Sequence, residues 1–145
     1  MNYVSRLNKV TVILISFVLV TATTAFSGQG IKWYSYDEAM ALNKSQNKKV
    51  YINFFTDWCG YCRKMEKETF TDEKVISYLN ANYLPVRVNA EKDRKVAAQY
   101  RAFSYPDNTF LTEKGEFIGK QPGYLDPKGF LKILTFVYED KYKNK

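Results

Sequence analysis

Two cysteines stand three residues apart in Trp58-Cys59-Gly60-Tyr61-Cys62, and they are the only cysteines in 145 residues. The stretch before them, Val50-Tyr51-Ile52-Asn53-Phe54-Phe55, is a strand-length run rich in β-branched and aromatic residues. The stretch after them, Arg63-Lys64-Met65-Glu66-Lys67-Glu68, consists of good helix formers with no β-branched residue or breaker. The pattern predicts a buried strand, a short turn and a helix that opens at Cys59. A helix N-terminus presents unpaired N–H groups and about +0.5 of an elementary charge, which favours a thiolate. Cys59 is therefore expected to be more acidic than a free cysteine of pKa about 8.5. Cys62 lies one turn on, on the same face. Residues so spaced have Cβ atoms roughly 5–6 Å apart, so a modest adjustment closes a disulfide. One thiol attacks and the other resolves.

Other readings of the pair bear comparison. A structural zinc site needs four Cys or His ligands, and two cysteines without histidine are too few for one chain to supply it. No metal is therefore expected. An inert disulfide would close a tiny loop and constrain the unfolded chain little. That option and a chance pair of buried free cysteines stay open, but a CxxC beside a βα pattern favours a redox-active dithiol.

Composition narrows the function further. A chain with 46% hydrophobic and 17% aromatic residues folds as a globular domain rather than staying disordered. Its length suits one domain with a modest core. The absence of histidine excludes Ser-His-Asp and Cys-His catalysis. The net charge of +7 comes from 22 basic against 15 acidic residues. The lysines are scattered, with no stripe interleaved with aromatics, so a solvated basic surface is expected and no nucleic-acid partner.

The first 27 residues read as a secretory signal. Arg6 and Lys9 precede the apolar stretch Val10–Val20, and small or polar residues run from Thr21 to Ser27. Cleavage is expected after Ala25, or as late as Ser27, which leaves a single domain over residues 28–145. The apolar stretch is shorter than the roughly 20 residues of a bilayer-spanning helix, although retention as an anchor stays open. With Arg6 and Lys9 removed, the remainder carries 20 basic against 15 acidic residues, or +5.

Along that domain, Ser35 and Glu38 form a capping box for a helix to about Asn43 or Gln46. The strand Val50–Phe55 and the CxxC helix follow. Thr71, with Asp72 and Glu73 behind it, is expected to start a helix covering Val75–Leu79. Tyr83–Val88 reads as a strand, Lys92–Tyr100 as a helix, and Phe110-Leu111 with Phe117-Ile118 as a hairpin around Glu113-Lys114-Gly115-Glu116. Asp126-Pro127 caps a last helix with the apolar stripe Phe130, Leu131, Leu134, Val137 and Tyr138. The order is α-β-α-α-β-α-β-β-α, an α/β fold with a small central sheet flanked by helices.

That order, with WCxxC opening a helix after the first central strand, resembles the thioredoxin fold from about Trp33 to Tyr138. The segment Met65-Glu66-Lys67-Glu68-Thr69-Phe70-Thr71-Asp72 is similar to exported thioredoxin-like thiol-disulfide oxidoreductases, including the periplasmic C-terminal domain of the DsbD-type transmembrane reductase. The resemblance implies that Cys59 is the nucleophile and Cys62 the resolving thiol, with Trp58, Gly60 and Tyr61 shaping the active-site turn. It implies that Ser104-Tyr105-Pro106 is a cis-proline loop, presenting the Tyr105 backbone to a bound substrate chain. Glu66 matches an acidic position expected to tune the cysteine pair.

There are also departures from the family pattern. Asn53 stands six residues before Cys59, where many relatives carry a buried aspartate. Burial would raise the pKa of such a carboxylate and let it act as a base; an amide cannot, so either Glu66 or water takes the proton from Cys62 or the resolving step is slower. Tyr61 replaces a rigid proline between the cysteines, and Asp107 replaces the threonine that often follows the cis-proline.

An exported dithiol of this kind reduces, oxidises or isomerises disulfides. Strong oxidants stabilise their thiolate, and Gly60-Tyr61 offers neither cation nor histidine for that. Arg63 and Lys64 are expected to favour the thiolate and Glu66 to oppose it. Reduction of protein disulfides in the periplasm is the preferred reading, with no cofactor and with electrons from a membrane donor of the DsbD type. Oxidase or isomerase activity and a redox-idle binding module are the alternatives.

Overall fold

A computed structural model describes residues 30–144 of the chain. The expected signal segment, residues 1–25, lies outside them. The described elements are α1 (Tyr36–Gln46), β1 (Lys49–Phe55), α2 (Gly60–Glu68), α3 (Glu73–Asn82), β2 (Tyr83–Asn89), α4 (Arg94–Gln99), β3 (Asp107–Leu111), β4 (Phe117–Pro122) and α5 (Pro127–Tyr138), followed by the 3-10 turn Lys141–Asn144. Their order is the one the sequence predicts.

The helix starts follow from side-chain capping. Ser35 accepts from the Glu38 N–H while Glu38 accepts from the Ser35 N–H, the reciprocal box expected for α1. The cap of α3 differs by one residue from the expected Thr71. Asp72 accepts from the Lys74 and Val75 N–H groups, both at 3.0 Å, whereas the Thr71 hydroxyl donates back to Lys67 O at 2.6 Å. A carboxylate carries the charge that the helix N-terminus favours, so it takes the cap. Asp126 caps α5, with Pro127 in its first turn.

The four strands lie in the order β2-β1-β3-β4, with β1 parallel to β2 and antiparallel to β3. As a central strand with both faces covered, β1 reads as a continuous apolar run rather than an alternating one. Val50, Ile52 and Phe54 join Leu84, Val86 and Val88 of β2 and Leu111 of β3 in one core layer, with Ala39 of α1 and Val96 and Ala97 of α4. Tyr51 belongs to the opposite layer, with Met65 of α2, Val75 and Leu79 of α3, and Phe130, Leu134 and Val137 of α5. Burying a side chain such as Met65 contributes about 1.5–3 kcal/mol, and that contact seats α2 against the sheet.

Buried Lys49 opens β1, hydrogen-bonds Glu113 in the β3–β4 turn and forms an ion pair with Asp140 at 3.0 Å. Burial alone would push its pKa down, but the two carboxylates outweigh this and hold it above the ordinary lysine value. The hairpin and the C-terminus are thereby tied to the end of β1 away from the cysteines.

β3 begins at Asp107, three residues earlier than the sequence indicates, and this brings Asn108 opposite Asn53. The Asn108 Nδ2 donates to Gln121 O at 2.9 Å and Gly123 O at 3.1 Å. Its Oδ1 thus accepts from the Tyr51 hydroxyl at 2.7 Å and from Asn53 Nδ2 at 3.3 Å. An aspartate at position 53 would set oxygen against oxygen unless it were protonated, which raises its folded-state pKa. The native state would then bind the proton more tightly than the unfolded chain, so stability falls as pH rises above the unfolded-state value of about 3.9. Asn53→Asp is accordingly expected to cost little at pH 4 and on the order of 3 kcal/mol at pH 8. Urea denaturation of both proteins at the two pH values measures the difference; an equal deficit at both would refute it.

Candidate active site

The chain leaves the carboxyl end of β1 at Phe55, and within four residues it reaches Cys59, the N-cap of α2. Cys59 has an extended backbone (φ −73°, ψ 107°), and its Sγ accepts from the Cys62 N–H at 3.0 Å. This is the placement that favours a thiolate on Cys59. The two cysteines are joined in a disulfide, with Cα atoms 5.3 Å apart. Both are only 4% exposed, so accessibility does not distinguish them; the N-cap position of Cys59 does.

The turn is anchored to the loop after β2. Asp57 accepts from the Asn89 side chain at 3.0 Å and lies 3.6 Å from the Lys92 ammonium, while the Trp58 indole donates to Glu91 at 3.0 Å. The Trp58 ring meets Tyr105 edge-on at 6.1 Å. The Tyr105–Pro106 bond is cis, as the motif implies, and Pro106 O accepts from the Gly123 N–H at 2.7 Å. The ring contact thus joins Trp58, which precedes Cys59, to the residue before the cis-proline. Tyr105 is half-buried, its hydroxyl donating to Ala102 O at 2.9 Å. Trp58 and Tyr61 remain 66% and 65% exposed, an aromatic rim over two nearly buried sulfurs. Gly60 opens α2 with open space around its Cα, so packing does not require glycine there.

Glu66 faces β2, not open solvent alone. Its two carboxylate oxygens accept from Arg87 Nη1 and Nη2 at 2.8 and 3.1 Å, and the Arg87 guanidinium lies 4.3 Å from the Phe55 ring. The bonds from Arg87 hold the Glu66 carboxyl below its ordinary pKa. Asn53 points to the same face of the sheet but bonds to Asn108. The sequence expected Arg63 and Lys64 to favour the thiolate; both are turned to other partners. Arg63 donates to Asp57 O at 2.9 Å, and the Lys64 ammonium sits 4.6 Å from the Tyr124 ring.

Sequence reasoning missed Arg87, Glu91, Asn108 and Thr56. A signal existed for Arg87, a lone cation inside the apolar run Leu84–Val88 and in register with Asn53. Thr56, Cys62, Glu66 and Arg87 share a cavity of about 190 Å³ beneath the turn. Among the described residues, no three His, Cys, Asp or Glu side chains gather to hold a metal ion.

Comparison with known proteins agrees with this geometry. The thioredoxin-like domain model matches residues 36–138. The thiol:disulfide interchange protein DsbD of Actinobacillus pleuropneumoniae is 30% identical over 100 residues, covering 65% of this chain and 17% of that protein. The disulfide bond reductase DsbH of Chlamydia pneumoniae is 25% identical over 117 residues, covering 70% of each chain. A thioredoxin from Thermus thermophilus superposes with a TM-score of 0.69 at 28% identity, covering 75% of this chain and 88% of that one. The chain spans less than half the length of several of the curated relatives it matches. A family match across most of the chain, with the CxxC just past the carboxyl end of the central strand β1 and a cis-proline just before β3, places this chain in the thioredoxin-like domain family.

Proposed function

We propose that this chain is an exported protein disulfide reductase, with residues 1–25 as its signal peptide and residues 28–145 as its single domain, working in the periplasm. Reducing electrons would come from a membrane donor of the DsbD type and pass to disulfide-bearing proteins. The observation that carries this reading is how the cations near the cysteines are committed. Arg87 is held by Glu66, Arg63 by the Asp57 carbonyl, and Lys64 by the Tyr124 ring. Gly60 and Tyr61 carry no charge, Glu66 offsets Arg87, and neither Arg63 nor Lys64 bonds a cysteine, which leaves the helix N-terminus as the direct stabiliser of a Cys59 thiolate. A modestly stabilised thiolate means a disulfide that is not driven towards reduction, the property of a reductant rather than a strong oxidant.

In the reaction, the Cys59 thiolate attacks one sulfur of a substrate disulfide and the other leaves as a thiolate. Cys62 then attacks the Cys59 sulfur, closing the intramolecular disulfide and releasing the second substrate thiol. Two electrons pass to the substrate. Trp58, Tyr61 and the Tyr105–Pro106 segment border the place where the substrate chain would lie, and Glu66 with Arg87 sets the charge beside Cys62.

A redox titration of the Cys59–Cys62 couple in glutathione buffers is expected to give a potential nearer thioredoxin's, about −270 mV, than the roughly −120 mV of a strong oxidant. A value above about −160 mV would favour the oxidase reading instead.

Substitution separates the two thiols. Cys59→Ser is expected to abolish reduction of a generic protein disulfide, and Cys62→Ser to accumulate mixed disulfides visible on non-reducing gels. If alkylation of the reduced protein labels Cys62 before Cys59, Cys62 is the nucleophile and Cys59 the resolving thiol.

A further inference from the structure

Thr56 directly follows β1 and is 3% exposed, and its hydroxyl oxygen makes no hydrogen bond within the protein. It lines the 190 Å³ cavity together with Cys62, Glu66 and Arg87. The buried Arg87 Nε is likewise without a bond. A buried polar group left unpaired costs about 1–3 kcal/mol. A cavity with polar walls and room for several molecules admits water, which satisfies such groups.

The charged groups facing this cavity are already engaged. Asp57 is bonded to Asn89, Arg63 to the Asp57 carbonyl, and Glu66 to Arg87 through both of its oxygens. Asn53 has no titratable proton, and its amide is held by Asn108. Cys62 must nevertheless lose a proton before it can attack. Thr56 is the uncommitted hydroxyl on the wall it shares with Cys62.

We propose that Thr56 is a positioning residue for the resolving step, its hydroxyl holding a cavity water against Cys62 to receive the thiol proton. This rests on Cys62 being the resolving thiol. The proton passes from Cys62 Sγ to the water oxygen and out to solvent. The Cys62 sulfur attacks Cys59 Sγ, the Cys59–Cys62 bond forms and the bond from Cys59 to substrate breaks. The substrate sulfur leaves with the electron pair and takes a proton from solvent. Thr56 neither gains nor loses a proton overall.

The test uses the reduced protein and one equivalent of an aromatic disulfide reagent whose released thiolate is coloured. The first release reports attack by Cys59; the second reports attack by Cys62 on the mixed disulfide. Thr56→Val keeps the shape and removes the hydroxyl. It is expected to slow the second release about tenfold at pH 7, less than the roughly 10²–10⁴-fold of a side chain that itself takes the proton, because water remains the acceptor in the variant. The gap should close as pH rises past about 8.5, where a thiol ionises unaided, and Thr56→Ser should restore the wild-type profile. A wild-type rate in Thr56→Val, a slowing that is equal at every pH, or a Thr56→Ser as slow as Thr56→Val would each overturn the proposal. If Thr56→Val melts below the assay temperature, Thr56→Ala is read in the same way. The second release does not depend on the direction of net electron flow, so a failed reductase reading leaves this result standing. A first release that persists in Cys59→Ser would instead overturn the assignment of the two thiols, and the proposal with it.

Discussion

The site depends on the way β1 is held. It is hydrogen-bonded to a neighbouring strand along each edge, and its body is covered on both faces. A strand fixed on four sides cannot shift its register without exposing one apolar set or burying another. The few residues from Phe55 to Cys59 therefore emerge at a defined point. α2 begins there because Cys59 can cap it, and Met65 holds it down from below. The position of the Cys59 sulfur is in this sense a product of the core. The same sulfur bonds the first turn of α2 and sits in its field, so the position that caps the helix is also one where a thiolate would be favoured.

The polar residues on the α2 side of the sheet divide into two groups. Tyr51, Asn53 and Asn108 form a neutral network whose hydrogen bonds run into the β4 end through Gln121 and Gly123. Glu66 and Arg87 form a charged pair at the edge, with the Arg87 guanidinium over Phe55. An amide at position 53 avoids the cost of a buried charge and gives up a base under the cysteines. The Arg87 partner keeps Glu66 anionic, so Glu66 adds local charge without being a ready proton acceptor.

Most of the fold was legible because its signals are local. The Ser35/Glu38 box, the Asp126-Pro127 start and the hairpin around Gly115 depend on neighbouring residues, and each element type agrees with its sequence pattern. The cysteine pair was legible for the same reason, and the cis bond at Pro106 followed from the resemblance alone. Contacts between distant segments were not legible. The partner of Glu66 lies 21 residues away and that of Trp58 lies 33 away, and neither spacing has a sequence signature. The cation Arg87 within an apolar strand signalled that some anion must face it, without saying which. The start of β3 was missed because Asp107 and Asn108 are poor strand formers, and tertiary bonds overrode that preference. The partners of Arg63 and Lys64 were not legible either. Both are close to Cys59 in sequence, yet their side chains are turned to the Asp57 carbonyl and the Tyr124 ring.

These placements bear on how the chain departs from its family at position 53. A carboxylate beneath the cysteines would have to be ionised to accept a proton and neutral to be buried at low cost, so its stability and its reactivity would pull against each other. Moving proton handling to a cavity beside the strand removes that conflict. The wall of the cavity is made by Thr56, the first residue past β1, where the backbone is already turning towards Cys59. A hydroxyl there can orient water without carrying a charge, and the core layer around Tyr51 keeps its neutral bonds. The charge of Glu66 sits at the rim, where the side chain is half-exposed and solvent screens it. The network of Tyr51, Asn53 and Asn108 can thus stay neutral under a turn whose chemistry requires a moving proton.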